Sequence, residues 1–354
     1  MINFPIDQPI AAREGETPDL KKLNSYLRSH VPEVNEVQTI RQFPSGYSNL
    51  TFCLTTKYKQ FILRRPPVGA NIKSAHDMGR EFKVLSLLKK HYSKVPTPIV
   101  YCESEEIIGA SFYIMERMQG VILRATNAPK LSISAELFEK LSKALVDNLV
   151  VLHALDISAT GLSELGKPEG YTQRQVEGWI KRYYNAETDI LEEMNLLATW
   201  LQKNLPKDQT PAFLHNDYKY DNVILDQQDL SKIIGVLDWE MATVGDPLMD
   251  LGASVAYWSE AGDDPVLRSF NLTSLPGNIS RQGFVDRYAE KSKRDVSNIL
   301  FYYVFGLFKN AVIAQQIYAR WKQGFSKDPR FGGLLMVIKC LSKQGVGSLN
   351  REKL

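Results

Sequence analysis

Short runs rich in apolar, β-branched and aromatic residues, broken by turn formers, fill the first third of the chain at residues 37–43, 50–55 and 60–63. Such runs predict strands, with Gly46 in the first break. From about Ser74, read as an N-cap, the period lengthens. Met78, Phe82, Leu85 and Leu88 recur at three- and four-residue steps, which predicts a helix with one buried face. Two further strand-like runs follow, 99–102 after Pro96 and Pro98, and 111–115 after Gly109.

Beyond Gly120 helical periods dominate. Residues 135–154 carry Leu137, Leu141, Leu145, Leu149 and Leu152, and more helices are predicted over 175–201 and 297–323. Between them, 213–239 holds two apolar strand-like pieces, 222–225 and 232–237, around polar residues. The pattern predicts an α+β fold in two parts. A small sheet-rich part, residues 1–117, is joined through 116–120 to a larger helical part, residues 118–354, with a ligand cleft expected between them.

Composition acts on this picture by exclusion. Forty-three basic residues against forty acidic ones leave a net charge of +3, too small and dispersed for a nucleic-acid footprint. Cys53, Cys102 and Cys340 are odd in number and far apart, without the paired spacing of a zinc site or disulfide framework, so a reducing cytoplasm is the expected location. Residues 1–13 carry Asp7 and two prolines instead of a basic stretch and an apolar run, and no signal peptide is expected. No stretch reaches the roughly 18 uninterrupted apolar residues of a membrane span, so no membrane partner is expected. No fixed-period repeat is found.

The polar residues of the insert have chemical reasons to be together. Phosphoryl transfer from ATP needs a carboxylate to orient the attacking hydroxyl and accept its proton, and hard oxygen ligands to hold magnesium on the phosphates. Asp217 suits the first task. Asn222, five residues on, and Asp238, sixteen further, suit the second. One loop can then present a base at its start and a metal ligand as the next strand begins. Lys219 either places positive charge on the transferring phosphate or is a solvated loop charge.

The run from His215 to Leu225, His-Asn-Asp-Tyr-Lys-Tyr-Asp-Asn-Val-Ile-Leu, followed by Val-Leu-Asp-Trp-Glu at 236–240, resembles the catalytic and metal loops of the aminoglycoside phosphotransferase and choline kinase family. That family shares the D-x-x-x-x-N spacing of protein kinases. The longer run from Asp238 to Gly252 is similar to kinase-like domains found alone in bacteria or joined to acyl-CoA dehydrogenases. The resemblance covers about residues 37–251 and, more loosely, the C-terminal helices. It implies a bilobal protein-kinase-like fold, with a small β-rich N-lobe carrying one main helix and a mostly helical C-lobe. It further implies ATP and Mg2+ as cofactors and a small-molecule hydroxyl as acceptor. Ser45, Gly46, Tyr47, Ser48 and Asn49 stand where the family carries its nucleotide loop, whose backbone amides can cover phosphates. Arg64 stands where most kinases place a phosphate-binding lysine. This is a departure, because arginine keeps the charge but adds a planar fork and a longer reach. The resemblance implies Glu81 as its acidic partner and the segment from Glu116 to Met118 as a hinge whose backbone would hold adenine.

Structural roles compete at several positions. His215 is read as loop support, Trp239 as packing and His153 as a core histidine. Gly245-Asp246-Pro247 reads as a turn opening a helix, with Asp250 bracing the catalytic loop through backbone hydrogen bonds. Trp179, Tyr183 and Tyr184 share a helix that in the family lines the acceptor side. Three functional readings result: a hydroxyl kinase; a nucleotide-binding regulator without catalysis, motivated by Arg64; or a choline- or ethanolamine-type kinase with a cage of Tyr183, Tyr184, Tyr257 and Trp258. No Ala-Pro-Glu element or long activation segment follows Asp238, which disfavours a protein kinase. No acidic cluster stands out in the helical half to receive a polycationic aminoglycoside. Hydroxylated acyl thioesters are a further candidate acceptor.

Overall fold

The computed structural model describes residues 4–34, 36–44, 49–67, 77–326, 328–351 and 353–354. They form two compact units. The first contains residues up to 122 together with 223–229 and 234–242; the second contains 123–222, 230–233 and 243–354.

The first unit opens with α1 (Leu20–His30), capped by the Asp19 carboxylate, which accepts from the Lys21 and Lys22 amides. Then come β1 (Val37–Gln42), β2 (Leu50–Thr56), β3 (Gln60–Arg65), α2 (Met78–Leu88), β4 (Pro98–Cys102) and β5 (Phe112–Glu116). The strands make one antiparallel sheet in the order β1-β2-β3-β5-β4. Side chains alternate across a strand, and on β3 this sets the site. Phe61 and Leu63 join Leu23 and Leu27 of α1 in one apolar core with Phe52 and Phe112. Arg64 is therefore on the opposite face, where it meets Glu81 of α2.

The succession along the chain, three strands, a helix and two strands, matches the expectation from the hydrophobic pattern, whereas α1 lay outside it. Its signal is the three- and four-residue spacing of Leu20, Leu23 and Leu27. Asn24 locks the helix to β1 by a reciprocal pair with Val37, donating to its carbonyl and accepting from its amide at 2.9 Å each. Asp77 caps α2 through the Arg80 amide; Ser74 and Gly46 lie outside the described residues.

The remainder of the chain runs α3 (Ala135–His153), α4 (Tyr171–Asn185), α5 (Glu192–Lys203), then short strands β6 (Ala212–Leu214), β7 (Val223–Leu225), β8 (Ile233–Val236) and β9 (Thr243–Gly245). It ends with α6 (Pro247–Ala256), α7 (Pro265–Arg268), α8 (Arg281–Ser292), α9 (Ile299–Lys322) and α10 (Leu334–Ser348). β6 pairs with β9 and β7 with β8. The single helix expected over 175–201 is two, α4 and α5. The Ala186 amide turns back onto the last carbonyls of α4, and Gln315 of α9 donates to the Ala186 carbonyl and the Thr188 hydroxyl at 2.9 and 2.8 Å. Both pieces are amphipathic, so periodicity ran across the break. No helix among the described residues is long and apolar enough to cross a membrane.

The second unit centres on α6 against α9. A Cβ at Gly252 would lie 2.4 Å from the Tyr302 carbonyl carbon and oxygen, and one at Gly306 would lie 2.6 Å from the Gly252 oxygen. The helices thus touch backbone to backbone, which glycine alone permits. Asp246 caps α6 by accepting from the Leu248 amide at 2.8 Å, with Pro247 at the first helical position, and Tyr302 of α9 donates to Asp246 at 2.8 Å. This contact fixes the two helices that carry Asp250 and Lys309. Gly252→Ala should therefore lower the unfolding free energy by about 1–3 kcal/mol, read from urea denaturation; an unchanged midpoint would contradict the close approach.

Candidate active site

β6 ends at Leu214 and delivers His215, Asn216 and Asp217 into a hydrogen-bonded loop of the second unit. Asp250, fully buried on α6, receives the His215 amide at 2.6 Å and the Asn216 amide at 2.8 Å. His153 Nε2 lies 3.2 Å from the same carboxylate, and its Nδ1 lies 2.7 Å from the Tyr288 hydroxyl. Burial would raise the Asp250 carboxyl, but hydrogen bonding to His153 and the His215 amide holds it below its ordinary value. Asp250 thus braces the loop through backbone hydrogen bonds as expected, and His153 is buried with both ring nitrogens partnered, as expected of a core histidine.

Asn216 sits at φ +65°, a left-handed conformation that asparagine tolerates better than most residues. Its side-chain amide donates to the Tyr171 hydroxyl at 3.1 Å, and its carbonyl accepts from Lys309 Nζ at 2.8 Å. Next in the chain, the Asp217 amide donates to His215 Nδ1 at 3.2 Å. Lys219 Nζ grips both Asp217 oxygens at 2.8 and 2.9 Å. Asn222 Nδ2 donates to the Asp217 carbonyl and to Oδ2, both at 2.8 Å. Burial works to raise the Asp217 carboxyl, but Lys219, His215 and Lys309 overcome it and hold the group below its usual range. It is an ionised carboxylate at neutral pH, able to accept a proton. Asn222 spends its amide nitrogen on this contact, and its amide oxygen has no donor among the described residues.

Lys219 also lies 4.5 Å over the Tyr257 ring and forms part of the wall of a cavity of about 240 Å³. Tyr220 and Trp258, stacked with ring centroids 5.6 Å apart, line it, as do Tyr257 and the half-exposed Phe270. Among the described residues Asp221 is its one acidic wall, and burial raises that carboxyl against the pull of Lys219 and Arg124. The expected aromatic group divides here. Tyr257 and Trp258 line the cavity, but Tyr183 is buried against Phe308 of α9, 5.9 Å between centroids, and Tyr184 is exposed beside it. The Trp179 ring has the Arg182 guanidinium at 4.7 Å and Lys309 Nζ at 5.7 Å from its centroid. The helical period is the reason, since it turns Trp179 and Tyr183 onto the same packed face of α4.

The second cluster belongs to the first unit. Arg64 Nη1 bonds Glu81 at 2.6 Å and Nη2 bonds Asp238 at 2.8 Å, with Glu240 at 3.6 Å. Asn49 donates to Glu240 at 2.8 Å. Burial would lower Arg64, but Glu81, with Tyr113, Asp238 and Glu240, holds it well above its ordinary value, so it stays charged. Asp238 is also left-handed, at φ +65°, and its side chain keeps 40% of its surface exposed. Trp239 packs as expected, its indole donating to the Val236 carbonyl.

Arg64, Glu81, Asp238 and, through Glu240, Asn49 are thus brought together in one unit, and Asp217, Lys219 and Asn222 in the other. Of the residues expected at the adenine, Glu116 ends β5 and Met118 lies two residues beyond it in the first unit; among the described residues neither is bonded to either cluster. The Glu116 amide is spent on the Thr97 carbonyl at 2.9 Å, while the Met118 amide has no backbone acceptor among the described residues. Ser45, Gly46, Tyr47 and Ser48 lie outside the described residues. Sequence reasoning missed Glu240, whose signal was its place two residues after Asp238, and Lys309, the lone charge between residues 299 and 319 of α9.

Comparison with known proteins agrees with the motifs. The family model described as "Phosphotransferase enzyme family" matches residues 39–280. Human acyl-CoA dehydrogenase family member 11 is 34% identical over 337 residues, which cover 93% of this chain and 43% of that protein. The rat protein of the same name is 35% identical over 314 residues, 86% of this chain and 40% of its own length. The chain therefore spans about two fifths of the length of these curated relatives. Among solved structures, a candidate aminoglycoside phosphotransferase from Ralstonia eutropha superposes with a TM-score of 0.78 at 26% identity, over 94% of this chain and 98% of that one. A GDP and kanamycin complex of an APH(2'') enzyme superposes at 0.62 with 12% identity, over 92% and 99%, and shares the fold alone. The α+β architecture is the kinase-like fold that the motifs implied, and by both its sequence match and its structural likeness this chain belongs to the phosphotransferase enzyme family.

Proposed function

We propose that the chain is an ATP- and magnesium-dependent kinase acting on a hydroxyl group of a small, largely uncharged molecule. The observation that carries this reading is the Asp217 carboxylate, kept ionised by Lys219 and fixed by Asn222, where Lys219 is also a wall of an aromatic cavity. An acceptor seated in that cavity presents its hydroxyl to Asp217. The carboxylate takes the proton as the oxygen attacks the γ-phosphorus, the bond to the β,γ-bridging oxygen breaks, and ADP leaves. Lys219 is suited to pass from Asp217 to the transferring phosphate, whose charge it then offsets.

In the first unit Arg64, oriented by Glu81, is assigned to the α- and β-phosphates. Asn222 and Asp238 fit magnesium as hard oxygen donors, the first through its unclaimed amide oxygen and the second through an exposed carboxylate. Magnesium, when bound, supplies charge neutralisation at the β- and γ-phosphates. A non-catalytic regulator is the weaker reading, because both terminal nitrogens of Arg64 are oriented by carboxylates, Nη1 by Glu81 and Nη2 by Asp238. A lysine has one point charge where the guanidinium spans Glu81 and Asp238.

The cavity's single carboxylate argues against a polycationic aminoglycoside, whose ammonium groups each call for a partner. An alcohol with an apolar body fits the aromatic walls. A choline- or ethanolamine-type acceptor is the second reading, favoured by the Tyr220–Trp258 stack, Tyr257 and Asp221. Hydroxylated acyl thioesters are kept in the same panel of candidates, since the relatives are named as acyl-CoA dehydrogenase family members.

Asp217→Ala should cut phosphoryl transfer by about 10²–10⁴-fold while calorimetry finds nucleotide binding nearly intact; turnover close to wild type would remove Asp217 as the base. Asn222→Ala and Asp238→Ala should each raise the magnesium concentration for half-maximal rate or abolish activity, and an identical magnesium titration in both variants would dismiss the metal assignment. In an ADP-release screen over amino sugars, amino alcohols, sugars and hydroxyacyl thioesters, apolar-bodied alcohols or amino alcohols should turn over fastest. A clear preference for an aminoglycoside would contradict the reading of the cavity.

A further inference from the structure

Lys309 lies in the middle of α9 and is 4% exposed, with Leu307, Phe308, Ala311 and Val312 buried around it on the helix. An ammonium buried this deeply requires a partner. Its Nζ donates to the Asn216 carbonyl at 2.8 Å. That carbonyl belongs to the peptide plane whose N–H is the amide of Asp217, and the Asp217 amide is bonded to His215 Nδ1 at 3.2 Å. The plane is therefore held at both ends. On its N-terminal side Asp250 holds the His215 and Asn216 amides, and Asn216 itself is in a conformation disfavoured for an L residue. Asn222 donates to the next carbonyl, that of Asp217, and Lys309 holds the carbonyl of the left-handed Asn216.

We propose that Lys309 is a positioning residue for phosphoryl transfer, its ammonium holding the Asn216–Asp217 peptide plane in the orientation that aims the Asp217 carboxylate at the acceptor hydroxyl. The inference rests on Asp217 being the base. A charged donor bonds a carbonyl about twice as strongly as a neutral one, so loss of the proton loosens the plane and also removes a positive charge that helps keep Asp217 ionised. The charged groups acting on Lys309 are Asp217 and Lys219 in the loop, Asp250 on α6 and Arg182 on α4. Burial, opposed by the two carboxylates, brings Lys309 down to about 8 from the ordinary 10.5.

The sign of the linkage separates positioning from packing. A lysine whose folded value is depressed disfavours folding while charged, and this penalty is relieved as pH rises from about 8 toward 10.5. Turnover should fall across the window in which the Lys309 contribution to stability improves. A residue needed only for packing would move both together.

The test uses the full chain as wild type, Lys309→Met, Lys309→Arg and Asp217→Ala, with ADP release from magnesium-ATP into water as the probe reaction. Denaturant midpoints and tryptophan emission are followed over the same pH range, because Lys309 lies against the Trp179 ring. K309M should release ADP about a hundredfold more slowly with a midpoint equal to or above wild type. K309R should recover most of the rate and lose the alkaline fall, since arginine does not deprotonate there. Wild-type emission should titrate near 8 and that of K309M should not. Wild-type turnover in K309M, the same alkaline fall in K309R, a K309M midpoint that drops along with its rate, or no emission change near 8 in wild type would each overturn the proposal. Undiminished ADP release in Asp217→Ala would instead remove the base itself, which distinguishes failure of the kinase reading from failure of this one.

Discussion

The Asp250 carboxylate, shut inside the helical unit and accepting two consecutive backbone amides, is the constraint on which the candidate site depends. A buried carboxylate survives only when its lone pairs are used, and here they hold the amides of His215 and Asn216 immediately before Asp217. Helix α6 can present it there because Gly252 and Gly306 let α6 and α9 meet at backbone distance. A packing requirement at two glycines thus becomes the placement of the loop that carries the Asp217 carboxylate. The same helix pair brings Lys309 to the carbonyl of that loop.

The first unit solves a different problem with the same economy. Strand alternation turns Phe61 and Leu63 into the apolar core and leaves Arg64 on the other face, where a single guanidinium reaches Glu81 and Asp238. The arginine that looked like a departure in the motif is accommodated because its planar fork has two carboxylates to serve. Each cluster holds residues in strained or buried states, Asn216 and Asp238 both being left-handed. Such strain persists where surrounding contacts over-determine it, and it gathers at functional sites.

Much of this was legible beforehand, and the reasons differ by residue. Apolar, β-branched and aromatic runs broken by turn formers exposed β1 to β5, and the polar residues at 215–222 and 238 stood out because nothing apolar explains them. The Arg64–Glu81 pair followed from the motif and the helix face. The break between α4 and α5 was hidden because periodicity does not register a single turn that Gln315 ties down from a distant helix. Tyr183 and Tyr184 were placed at the acceptor although period alone could not say which neighbour their face would meet, and Tyr183 packs on Phe308. Lys309 and Glu240 act through long-range contacts, which local pattern does not encode.

The most direct test of the kinase reading is a crystal structure of the chain with Mg2+ and a non-hydrolysable ATP analogue. Metal held by the Asn222 amide oxygen and the Asp238 carboxylate, and nucleotide whose transferable phosphate lies next to the Asp217 carboxylate, are the expected result. A nucleotide bound elsewhere, or carboxylates at 217 and 238 that share no phosphate or metal between them, would contradict it.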